Sequence, residues 1–240
     1  MENKDFNFSE FITDSKEALM MPDSYFTRMP AGGGIGIPVI KALIYGAIAG
    51  VFNFLWSILI FGQTGATGGL FGGAVGAMAF FGSIIGALIG LFIGALIILI
   101  LVAIAGGKTD FGPVTHVTAA LMVVMPISAF LNVFGAIHTI LASVLSLAVN
   151  LYALWMLFHA MTKALDAKVD TTKILVYVLG GLLILFFFIG LATRNVTKSL
   201  MRDFEQYEDD FGQKTNQQDN PATQKSTHND FYAVYQKTAS

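Results

Sequence analysis

Cysteine is absent from the 240 residues, and charge is scarce: Asp, Glu, Lys and Arg together make up 12% of the chain. Without a thiol, disulfides, thiolate nucleophiles and Cys-ligated zinc are excluded. A soluble domain carries about 25% charged residues, and here the deficit is concentrated. No Asp, Glu, Lys or Arg occurs from Ala42 through Gly107, from Phe111 through Thr162, or from Ile174 through Thr193. The basic residues that remain are scattered, and a formal net charge of −2 leaves no nucleic-acid footprint. Gly-x-Ser-x-Gly, Walker and His-Glu-x-x-His sequences are missing, as is a GxGxxG that opens a soluble α/β unit. With no carboxylate inside the charge-free blocks, an ion-coupled pump or exchanger is disfavoured. The expectation is a protein without cofactor, metal or catalytic centre, and hence not an enzyme.

What the chain has is apolar length. A crossing needs about 20 apolar residues to traverse roughly 30 Å of hydrocarbon. The charge-free blocks therefore predict an all-α integral membrane protein, a bundle of five transmembrane helices at about 39–61, 81–105, 114–134, 139–161 and 174–193. Pro126 is expected to kink the third. Between the first two lies Gly65–Phe80, apolar but crowded with glycine, read here as a re-entrant or interfacial segment before the second span. Residues 1–37 form a polar and aromatic lead, 38–193 the membrane domain, and 194–240 a polar acidic tail expected to be mobile. The N-terminus is polar for too long to be a cleavable signal, so the first span is expected to act as its own targeting signal.

In the lead, Phe8, Phe11, Ile12, Ser15, Ala18 and Leu19 recur at helical spacing, with Glu10, Asp14 and Glu17 opposite, which predicts a short amphipathic helix ending at Pro22. Its apolar face has two destinations, the membrane interface or the protein's own surface. Arg28 and Lys41 precede the first span, Lys108 marks the second-to-third loop, and Lys163, Lys168 and Lys173 mark the fourth-to-fifth. By the positive-inside rule these belong in the cytoplasm with the N-terminus, against the objection of Arg194, Lys198 and Arg202 beyond the fifth span.

Two side-chain patterns point to interaction. Gly82, Gly86, Gly90 and Gly94 recur every four residues in the second span, and Gly46 and Gly50 repeat the spacing in the first. Residues four apart stack on one helix face, and small ones let two backbones close to within dispersion range in lipid. A groove along the second span is expected, filled either within the monomer or by another copy or membrane protein. The second pattern is a polar stripe, Thr139, Ser143, Ser146 and Asn150, on the fourth span, with Asn53 and Ser57 similarly placed late in the first. Such groups must face protein or water. Either they hydrogen-bond between helices, or they line a polar cavity beside the fourth span that serves a passive channel, a small-solute transporter or a lipid-handling protein. Of the histidines, His138 and His159 fall at opposite ends of one helix, about 30 Å apart. His116 and His159 are the pair placed to meet, near Asp110 and Asp166, and a membrane enzyme would require those four to converge.

The order of features resembles a known family. Pro22-Asp-Ser-Tyr-Phe26 with Met29 and Pro30 before the first span is similar to the lead-in of prokaryotic members of the Yip (Ypt/Rab-interacting protein) family. Gly106-Gly107-Lys-Thr-Asp-Phe111, leading into a span with Pro126, resembles its central Gly-Gly…Phe…Pro pattern, and Trp155 late in the fourth span fits as well. The resemblance covers roughly Pro22 to Ala192. It implies five spans, a cytosolic N-terminus and a short external C-terminus. Eukaryotic relatives act in vesicle trafficking with Rab GTPases, but their Asp-Leu-Trp-Gly-Pro signature is absent before the first span here. The acidic, Asn/Gln-rich tail also departs from the pattern. The functional expectation is a non-enzymatic membrane scaffold or accessory subunit whose partners are membrane lipids and either itself, as a homo-oligomer, or another integral membrane protein.

Overall fold

A computed structural model describes residues 6–29, 34–61 and 68–218, and the side-chain surroundings of 6–29, 34–59 and 72–193. Pro30 and Gly32–Gly33 of the lead, Gly65–Thr67 and the terminal Phe231–Tyr235 lie outside the described residues. The chain divides into two units, residues 1–185 and 186–240.

The lead folds into two helices, α1 (Phe8–Met20) and α2 (Pro22–Arg28). Asn7 caps α1, its side-chain oxygen accepting from the backbone N–H of Ser9 at 2.9 Å and of Glu10 at 3.3 Å. Pro22 ends α1 and opens α2, a first-turn position where its missing N–H costs nothing. Of the two destinations for the amphipathic face, the structure takes the protein's own surface. Phe11 and Ala18 are buried, with Phe11 tilted against Tyr45 at 5.1 Å between ring centroids. Ser15 Oγ lies 2.7 Å from Tyr45 Oη. Phe8 and Ile12, 59% and 53% exposed, stay outside that contact.

Among the described residues, five segments are long and apolar enough to cross a membrane. The first is α3 (Gly36–Phe61). The second is α4 (Gly68–Ile104), one unbroken helix of 37 residues, about 55 Å at 1.5 Å per residue. This corrects the expected break at Phe81: Gly68–Phe80 is not a separate re-entrant element but the N-terminal third of the helix that forms the second span. Its glycines do not break the helix because neighbours on α3 hold it. Ser57 Oγ donates to the Gly72 carbonyl at 2.9 Å, and Gly76 fits beside the Phe54 ring.

The third crossing is in three pieces, α5 (Phe111–Leu121), α6 (Val124–Leu131) and α7 (Phe134–Ile137). The break at Met122–Val123 follows from Pro126, which has no N–H for the Met122 carbonyl and whose ring would press on it. The Met125 N–H reaches that carbonyl instead at 2.9 Å. The fourth crossing, α8 (Thr139–His159), runs on through a π-helical turn, Ala160–Ala164. The fifth, α9, starts at Val169, five residues before the expected Ile174, and continues as helix to Gln218. The charged loop between them therefore shrinks to four residues, Leu165–Lys168.

Beneath α1 and α2 the core takes in the same end of the bundle, with Phe26, Leu91, Val114, Val117, Met156, Met161 and Leu165 fully buried. The two charged loops lock together there. The Lys108 N–H donates to the Leu165 carbonyl at 2.8 Å, and the Lys168 N–H to the Ala105 carbonyl at 3.0 Å. Gly106, at φ +69°, makes the left-handed turn that ends α4. Gly107 passes so close to the second loop that a Cβ on it would sit 2.6 Å from the Leu165 carbonyl oxygen. The consecutive glycines are thus explained, one by its dihedral and one by its neighbour.

Candidate interaction surfaces

The glycine register separates into used and unused positions. Gly46 and Gly50 of α3 are the contact points of the α3–α4 seam. A Cβ on Gly46 would meet Ala87 Cβ at 2.7 Å, and one on Gly50 would meet Phe80 at 2.9 Å, including its backbone oxygen. Backbones this close leave no room for any side chain, which is the geometry that favours glycine between helices in lipid. On α4, a Cβ added to Gly94 would stand 3.0 Å from Thr118 Cγ2. Gly82, Gly86 and Gly90 have nothing within 4 Å of an added Cβ. They form an exposed strip flanked by Ile85, Ile89 and Ile93, each more than half exposed. None of the described residues fills the expected groove at these three positions; the helix uses a neighbouring edge, Ala87, Leu91 and Ala95, all fully buried, for its own packing.

The polar residues divide in the same way. Asn53 donates through Nδ2 to Ser83 Oγ at 3.1 Å and accepts from Asn132 Nδ2 at 3.4 Å. With the Ser57–Gly72 bond, this ties the first span to the second and third. The α8 stripe behaves differently. Ser143 Oγ donates back to the Thr139 carbonyl at 2.8 Å, and Asn150 Nδ2 to the Ser146 carbonyl at 2.7 Å. Thr139, Ser146 and Asn150 are exposed, Ser143 is half-buried, and the bonds of Ser143 and Asn150 just named run along their own helix. A cavity of about 570 Å³ does lie beside α8, but its walls are mostly apolar apart from Lys173 and Tyr177, and it includes none of the stripe. The sequence reading also missed Trp56. Its indole N–H donates to the Ala129 carbonyl at 2.9 Å, and its ring lies with Phe52 and Phe130 in one aromatic cluster.

At the charged end, α2 is clasped to the π-turn. Asp23 Oδ1 is 3.0 Å from Lys163 Nζ and 3.3 Å from His159 Nδ1. The His159 nitrogen is buried but lies off the hydrogen-bonding line to that carboxylate, so proximity there is not a formed bond. The Lys163 hydrogen bond, more than the nearby positive charges, holds the Asp23 carboxyl below its ordinary range. Burial, with the Asp14 charge nearby, raises the Tyr25 phenol on the same helix. The Tyr152 hydroxyl donates to the Leu19 carbonyl at the end of α1. A second cavity, about 330 Å³, opens between α1, α2 and the start of α3. Two ion pairs span its walls, Lys41–Asp14 at 2.7 Å and Arg28–Glu17 at 2.5 Å. His116 also lines it, with Nε2 3.1 Å from the Gly34 carbonyl.

Three of the four groups a catalytic centre would need lie against separate neighbours. His116 is held at Gly34, His159 lies beside Asp23, and Asp166 pairs with Lys108 at 2.6 Å. Among the described residues no three His, Asp or Glu side chains are grouped to hold a metal.

The model of one protein family, described as the Yip1 domain, matches residues 16–193, from within α1 to the end of the fifth span. No curated protein and no solved structure matches the chain.

Proposed function

The chain belongs to the Yip1 domain family, and from that premise we propose that it is a non-enzymatic accessory or scaffold protein of the membrane, working through the open glycine face of α4. The observation that carries this reading is the contrast within one register. Gly46 and Gly50 are filled by the chain's own α4, whereas Gly82, Gly86 and Gly90 present bare backbone to whatever lies outside. In hydrocarbon there is no hydrophobic drive between helices, and close backbone approach over small residues supplies the association instead. The partner is a second copy or another integral membrane protein. Family membership supports a part in membrane organisation or trafficking. Rab binding is not carried over, since the Asp-Leu-Trp-Gly-Pro signature is missing; that absence supports a prokaryotic-type branch and a bacterial cytoplasmic membrane. The gathering of Arg28, Lys41, Lys108 and Lys163 at the end that carries α1 and α2 supports a cytoplasmic N-terminus.

Two leucine substitutions test the reading. Gly86→Leu has room in its own chain and should leave a folded monomer that no longer associates after mild extraction from native membrane. Gly50→Leu drives a side chain into the Phe80 backbone and should lose the fold itself. Parent protein that extracts only as free monomer, or Gly86→Leu that associates like the parent, would refute the role given to this face.

A further inference from the structure

The 570 Å³ cavity beside α8 is a lateral groove between α8 and the first turns of α9, and its position assigns it an occupant. Lys173 and Ile184 mark its extent on α9, eleven residues apart, or about 16 Å of helix. That is half of the roughly 30 Å hydrocarbon thickness, the depth of one leaflet. A helix from a second copy would need a seam through the full thickness, whereas an acyl chain needs only this. The floor is kept open by Gly181, beside which an added Cβ would find nothing within 4 Å. The walls are mostly apolar, with Phe158 and Ile184 among them, so water is not the natural filling.

The mouth carries the chemistry. Lys173 lines the groove in the first turns of α9, at the end of the bundle where Lys108 and Lys163 lie. Those two lysines and Lys41 each hold a carboxylate; among the described residues Lys173 holds none. Tyr177 stands one turn deeper on the same face, 76% exposed, and Trp155 faces it from α8, 46% exposed. An unpaired ammonium above two amphipathic aromatics is the arrangement found at headgroup level. We propose that this groove is a binding site for one anionic phospholipid, its acyl chain along Gly181 and Ile184 and its phosphate on Lys173. The assignment is independent of the glycine face on α4.

The chain has two tryptophans, so Trp56→Phe leaves Trp155 as the only indole reporter. The full chain carrying that change is reconstituted into phosphatidylcholine vesicles containing a minor fraction of acyl-brominated phosphatidylglycerol or, separately, of acyl-brominated phosphatidylcholine. Expected is quenching of Trp155 by the brominated phosphatidylglycerol at about fivefold lower mole fraction, the factor that one lysine near an anionic surface supplies. Lys173→Gln should erase the preference and Lys173→Arg should keep it. Gly181→Leu, which fills the groove without a clash, should weaken quenching by both lipids. Equal quenching by the two lipids in the parent, or a preference that survives Lys173→Gln, overturns the site. So does a Trp155 that neither lipid reaches, which would mean that a protein surface covers the groove.

Discussion

Adding one methyl group at Gly107 should open the junction between the two charged loops. An alanine Cβ there would stand 2.6 Å from the Leu165 carbonyl oxygen, 2.8 Å from Val102 Cγ1 and 3.0 Å from Ala167 Cα. Two of these three are main-chain atoms, and the Leu165 carbonyl already accepts the neighbouring backbone N–H at 2.8 Å. The loops must part. Overpacking of this kind costs about 1–3 kcal/mol, and weakening the two inter-loop backbone bonds adds about 0.5–1.5 kcal/mol each. A total near 3 kcal/mol, at roughly 2–4 °C per kcal/mol for a chain of this size, lowers the melting temperature by about 10 °C. The assay is thermal unfolding of purified protein in a single mild detergent, read by circular dichroism. Gly181→Ala provides the contrast: its Cβ has open space, and the gain in helix preference over glycine, about 0.5–1 kcal/mol, should leave the melting temperature equal or slightly higher. Gly107→Ala melting within 2 °C of the parent, by this scaling an effect of at most about 1 kcal/mol, would refute the argument that close loop contact is what requires glycine here.

Three further outcomes are expected. Asn53→Leu removes a group bonded to both Ser83 and Asn132 and should destabilise the bundle by about 1 kcal/mol in denaturant titration, whereas Asn150→Leu, bonded only along its own exposed helix, should be neutral within error. Phe26→Ala empties a fully buried ring position under α2 and should cost about 3–5 kcal/mol, read as early proteolysis after Arg28. Asp23 has a lowered pKa in the folded chain, so its contribution to the α2 clasp is present above the ordinary carboxylate value of 3.8 and is lost as pH falls below it. Protease protection of α2 should therefore decline below about pH 4 in the parent and show no such pH dependence in Asp23→Asn.

Much of this fold is dictated by composition. Hydrocarbon admits backbone only when every N–H and C=O is satisfied within the chain, so blocks free of Asp, Glu, Lys and Arg had to be helices. Their number, the amphipathic lead broken at Pro22 and the kink at Pro126 follow from local chemistry that needs no partner. The lead-in and central glycine patterns sufficed to point to the Yip family. Residue spacing alone could not say which edge of a glycine-rich helix meets its neighbour. Gly46, Gly50, Gly82, Gly86 and Gly90 carry the same four-residue signal, and only the α3–α4 crossing spends the first two inside the chain and leaves the other three open. The same limit applies to Gly68–Phe80, read from sequence as a re-entrant or interfacial segment, which Ser57 and Phe54 of α3 brace as a continuous part of α4. Asn53 and Asn150 likewise look alike in sequence and differ in what stands opposite. Periodicity fixes which residues share a face, but what a face touches is decided by where the other helices lie, and tertiary packing alone settles that.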